Sequence, residues 1–124
     1  MINNQNTFVC RGKVVCDPKI DREAMSGDEY VYLKIRLRRR YRTEESSITK
    51  KYDCTVNVWF FGKKKDMVYD RVAKGDELEV TGFLASLKWM DEAGKDHDSL
   101  GIIGHSATWY KQDVEETEEE ESVF

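Results

Sequence analysis

Lys34, Arg36, Arg38, Arg39, Arg40 and Arg42 place six cations within nine residues, with Tyr41 among them. On an extended strand alternate members project from one face at ~6.6 Å intervals, close to the phosphate spacing of a single-stranded backbone, so such a strand can track a polyanion. A solvated charged face and a basic localisation signal are the other readings of the same run. Trp59, Phe61 and Trp89 fall at strand ends beside lysines: Lys63, Lys64 and Lys65 follow the first two, and Lys88 precedes the third. Every base has a π-face, so a ring on a basic sheet holds a nucleotide without reading it, at roughly 1–3 kcal/mol per stacked base. For any one of these rings the alternative is a place in the core. Basic strand and interleaved rings together have the chemistry of a surface for single-stranded nucleic acid.

The elements that must carry these side chains are mostly strands. Val31, Leu33, Ile35 and Leu37 alternate with Tyr32, Lys34, Arg36 and Arg38, giving one aliphatic and one cationic face. In residues 52–61, Tyr52, Cys54, Val56, Val58 and Phe60 take one side and Asp53, Thr55, Asn57, Trp59 and Phe61 the other. Residues 7–15 read as a strand bent at Gly12, and residues 78–89 as another with Gly82 inside it. The turn residues DEAGKD then lead to a last run ending at Trp109 and Tyr110, which read as packing residues. Residues 63–74 break the pattern, with Met67, Val68, Arg71 and Val72 at helical spacing before Gly75. The expectation is an all-β, five-stranded OB-fold barrel with one short helix between strands 3 and 4.

The chain has 124 residues, room for one domain and a short appendage. Charged residues make up 35%, and no apolar run approaches the ~20 residues that cross a bilayer. A net charge of −4, taken as a whole, disfavours nucleic acid, but it is unevenly spread. Residues 112–124 hold seven acids and no base, so residues 1–111, with 20 bases against 17 acids, stand at +3. Like charges in a block repel one another, and the segment reads as a disordered, solvated acidic tail. Residues 1–111 are thus the binding domain and residues 112–124 the tail. Cys10, Cys16 and Cys54 are an odd set without a CxxC pair and read as small reduced hydrophobes. His97 and His105 lack a nucleophile or metal-ligand spacing, so no catalytic residue, metal or cofactor is expected.

RGKVVCDPKI, LKIRLRRRYR, VWFFGK, RVAKGDELEVTGFL and LKWMDEAGKD, in this order and spacing, resemble the bacterial-type single-stranded DNA-binding proteins over residues 7–98. The resemblance implies an OB fold, sequence-independent binding of single-stranded DNA, and base stacking on Tyr41, Phe61 and Trp89. Thr55 stands where the family has a further ring; Trp59, two residues from Phe61 on the same face, is the candidate replacement. Lys34, Arg36, Arg38, Arg40, Arg42, Lys63 and Lys88 are the candidate phosphate contacts. The tail, too, resembles the family's, in which an acidic run with an apolar tip docks replication and repair proteins. Here that role falls on Glu118, Glu119, Glu120, Glu121, Val123 and Phe124. The family's long Gly- and Gln-rich linker is almost absent, as in a compact, phage-type member. A cytoplasmic protein that assembles as a dimer or tetramer is implied, in a bacterium or an infected host cell. An RNA-directed OB module and an adaptor acting mainly through its tail are the competing functions.

Overall fold

Val31, Leu33 and Ile35 are wholly buried while Arg36 and Arg38 are exposed, so the alternation read from the sequence sets which face of this strand meets the core. The computed structural model describes residues 5–23, 26–42 and 49–111, without the side chains of residues 40–42, 49 and 50. Among them run β1 (Phe8–Val14), β2 (Lys19–Arg22), β3 (Glu29–Arg42), β4 (Thr49–Phe61), α1 (Lys63–Arg71), β5 (Glu77–Met90) and β6 (Asp96–Tyr110). The strands form one sheet in the order β1-β5-β6-β4-β3-β2, and a further pairing of β1 with β3 closes it. The closed barrel has five strands, β1, β3, β4, β6 and β5, with α1 between its third and fourth in chain order. It is mixed, because β4 and β6 run parallel and the other pairs antiparallel. β2 is a four-residue strand paired along the edge of β3. Its residues are all exposed, so no apolar period announced it.

Closure depends on close backbone approach at Gly12. A Cβ there would stand 2.7 Å from Ile35 Cγ2, where β1 leaves β5 and meets β3. Gly82 sits at the irregularity between Thr81 and Gly82, where the β5–β6 register shifts and the ladder bends. Val14, Val31, Leu33, Ile35, Val58, Phe60, Leu78, Val80 and Ile102 fill the interior, and Val68 and Val72 of the helical segment cap it. Each such aliphatic side chain contributes roughly 1.5–3 kcal/mol by leaving water.

The helix is three residues shorter than its apolar spacing predicts. It ends at Arg71, and Val72 is already extended while its N–H still donates to Val68 O at 3.0 Å. Two carboxylates take over the next backbone donors: Ala73 N donates to Asp76 Oδ2 at 3.0 Å and Lys74 N to Asp17 Oδ1 at 2.9 Å. Side-chain acceptors of this kind compete with helix continuation. Asp76, 1% exposed, also accepts the indole N–H of Trp109 at 2.9 Å, which ties the end of β6 to the start of β5.

The cysteines divide. Cys10 is buried and Cys16 half-buried, but Cys54 is exposed, because β4 runs beyond the barrel wall there; it is not the core hydrophobe its apolar neighbours suggested.

Candidate nucleic-acid interface

β3 and β4 pair without interruption from Tyr30↔Phe61 to Arg42↔Thr49. Residues directly opposite share a face. Tyr30, Tyr32, Lys34, Arg36 and Arg38 therefore stand beside Phe61, Trp59, Asn57, Thr55 and Asp53 on the side away from the core. β6 continues this face with Gly101 and Ile103, and β5 with Ala85, Leu87 and Trp89. It spans four adjacent strands.

Its floor is apolar. Tyr30, Trp59 and Leu87 are buried in a second cluster, with Tyr32, Phe61 and Ile103 packed against them. Trp59, a predicted stacking ring, is only 3% exposed and belongs to this floor. Gly101, its neighbour on β6, explains the burial: a Cβ there would lie 2.6 Å from the indole, which occupies the space a side chain would need. Trp59 therefore supports the face, with almost none of its ring exposed. The parallel β4–β6 pairing that places Gly101 beside it has no local sequence signal.

Phe61 and Trp89 are at the surface of the layer. Phe61 is half-buried and tilted against Tyr30, centroids 5.5 Å apart at 59°. Trp89 is 39% exposed, with one ring face against His97. The backbone of Tyr41 lies in β3 opposite Lys50, and its side chain is outside the described residues.

The cations are not equivalent. Lys34, opposite Asn57, has no ion pair among the described residues. Arg36 Nη2 and Arg38 Nε both reach Asp53, at 3.1 and 3.3 Å, so one carboxylate partly neutralises the strand. Sequence reading missed this partner, although its place in the alternation of β4 put it on the cationic face. Arg40 and Arg42 continue β3 opposite Lys51 and Thr49, their side chains outside the described residues. Lys63 and Lys64 are exposed at the start of α1. Lys65 is held between Asp66 (3.3 Å) and Glu29 (3.5 Å), and its hydrogen bond to Asp66, above all, raises its pKa. Lys88, a predicted phosphate contact, lies opposite Asp98 and projects from the other side of the hairpin from Trp89, because adjacent residues of a strand face opposite ways. The structure does not bring it to this face. Glu118, Glu119, Glu120, Glu121, Val123 and Phe124 lie outside the described residues.

A closed barrel with this strand order is an OB fold. Residues 5–110 match the model of the single-strand binding protein family, and the chain belongs to that family. Two solved structures are similar over 91% of the chain at 18% identity each. One is described as a Plasmodium falciparum SSB complex with ssDNA (TM-score 0.69, 99% of that chain covered). The other is a small single-stranded DNA-binding protein from Streptomyces coelicolor (TM-score 0.61, 98% covered). No helix among the described residues is long and apolar enough to cross a membrane.

Proposed function

We propose that this protein binds and protects single-stranded DNA without sequence preference, on the outer face of β3, β4, β6 and β5, during replication, recombination and repair. The observation that carries this reading is the row Lys34, Arg36 and Arg38 on the same sheet face as the rings of Phe61 and Trp89. Cations at strand spacing follow the phosphates and rings take the bases, a division that needs no base-edge contact. Family membership and a neighbour described as a complex with ssDNA support it. Arg40 and Arg42 continue β3 at the parity of Lys34, Lys63 lies beyond Phe61, and Tyr41, at the opposite parity, is the further ring that the family resemblance implies. No catalytic step belongs to this role.

Residues 112–124 form the second functional part. Glu118, Glu119, Glu120 and Glu121, followed by Val123 and Phe124, suit a basic-rimmed apolar pocket on a replication or repair protein. Without DNA the same polyanion competes for the cationic face. The test is a salt titration of oligo-dT binding by the full chain and by a chain ending at Lys111. The shorter chain should bind more tightly at low salt, with the gain shrinking as salt screens the charges. Equal affinities throughout would contradict the competition.

A further inference from the structure

The tip of the β5–β6 hairpin holds a chain of contacts that closure of the barrel does not require. Trp89 and His97 are opposite one another in the ladder, and their rings stack with centroids 4.4 Å apart and planes 19° from parallel. The indole N–H donates to Ser99 Oγ at 2.9 Å, so the ring is held at its edge as well as on one face. His97 Nε2 lies 2.7 Å from Asp91 Oδ2. The other oxygen of Asp91 accepts the backbone N–H of Ala93 and of Lys95, each at 2.9 Å. Those bonds, the one from His97 foremost, hold the Asp91 carboxyl below its ordinary range. Turn backbone, carboxylate, imidazole and indole thus form one connected series.

Two consequences follow for binding. The indole is ordered before a base arrives, with His97 on one face and the ring still exposed at the surface. Nε2 faces Asp91, and Nδ1 has no hydrogen-bond partner among the described residues, so it is the nitrogen open to an approaching phosphate. A protonated imidazole flat on an indole is a cation–π pair, and its Nδ1–H is a donor for a phosphate. Imidazole is the side chain whose charge changes between pH 5 and 8. The charged groups around it are Asp91, Glu92 and Lys95 in the turn, Asp96 and Asp98 flanking it on β6, and Lys88 beside Trp89 on β5. Further along the same sheet face stand Lys34, Arg36, Arg38 and Asp53.

We infer that His97 is a positioning residue for the single-strand face: anchored by Asp91, it holds Trp89 for one-sided stacking and, once protonated, adds a cation beside the indole, so that affinity for single-stranded DNA rises towards acid pH. The inference rests on the function proposed above. Its test is the binding of oligo-dT, whose thymines have no group titrating in this range, at about pH 8 and about pH 5.5 and constant ionic strength. The wild type should tighten about three- to tenfold on acidification, over and above any change in His97→Gln. Glutamine can still donate to Asp91 but takes up no proton, and His105 and the tail are common to both proteins. His97→Phe keeps a ring against the indole but loses the bond to Asp91, so it should bind more weakly than the wild type near pH 8 and lack the acid gain. Thermal melts establish that both variants are folded. In the free protein the imidazolium should quench Trp89 emission on acidification, an effect absent from His97→Gln and Trp89→Phe. Parallel pH profiles in the wild type and His97→Gln would overturn the role of His97 while leaving single-strand binding intact. Failure of the wild type to bind oligo-dT at either pH would overturn the proposed function and this inference with it.

Discussion

Arg36 Nη2 lies 3.1 Å from Asp53 Oδ2, diagonally across the β3–β4 ladder, and Arg38, directly opposite Asp53, meets the other oxygen of the same carboxylate at 3.3 Å. A phosphate approaching this row must therefore compete with a fixed anion for two guanidinium groups. Asp53→Asn removes the competitor and leaves both arginines. Its affinity for oligo-dT is expected to rise about two- to fivefold at ~0.05 M salt, and the salt dependence to steepen by about 0.7 in log–log slope for each phosphate newly contacted. Titration of wild type and variant across a salt series checks both.

The two tryptophans of this face should part company on mutation. Trp59→Ala opens a cavity in the second cluster and is expected to cost about 3–5 kcal/mol of stability. Gly101→Ala, which places a methyl 2.6 Å from the same ring, should cost about 1–3 kcal/mol by overpacking. Trp89→Ala should instead leave stability nearly unchanged and cost roughly 1–3 kcal/mol in binding, the worth of one stacked base. Denaturant melts and oligo-dT titrations on the three variants separate support from contact.

The sequence made much of this face legible. Alternation in residues 31–38 divides β3 into core and outer faces as the structure does, whereas in β4 Tyr52 and Cys54 are exposed and the core side begins at Val56; the barrel order followed from the strand and helix sequence. The burial of Trp59 depends on Gly101, 42 positions away, through a parallel pairing that leaves no local pattern. Lys88 adjoins Trp89 in the sequence, but a strand sends neighbours to opposite sides. Asp53 and His97 act through cross-strand partners, and only the register reveals those. Periodicity encodes a face; it does not encode which strand lies beside it.

Asp76 offers a separate test of what holds the barrel end. It is almost fully buried and accepts N–H donors from Trp109 and Ala73, with Lys111 Nζ at 3.8 Å. Asp76→Ala leaves buried donors without an acceptor, at about 1–3 kcal/mol for each. Asp76→Asn keeps one acceptor oxygen and should lose less. Chemical denaturation of the two variants checks the order.

Thiol chemistry should distinguish the strands. Burial, with a smaller repulsion from Cys54, pushes the Cys10 thiol up to about 11, so it stays protonated near neutral pH. A thiolate is the reactive form, and Cys54 is exposed. Iodoacetamide at pH 8 is expected to alkylate Cys54 well before Cys10 in the folded protein, and both readily in denaturant. Mass spectrometry of timed digests reads the order.

The most direct test of the central claim compares the full-length protein's equilibrium binding to poly-dT, poly-U and duplex DNA at one moderate salt concentration, followed by intrinsic tryptophan fluorescence. Strong quenching by poly-dT, with weaker quenching by poly-U and little by duplex, is the expected result. Equal quenching by poly-U would move the function to RNA, and none by any of the three would contradict the assignment of this face to single-stranded nucleic acid.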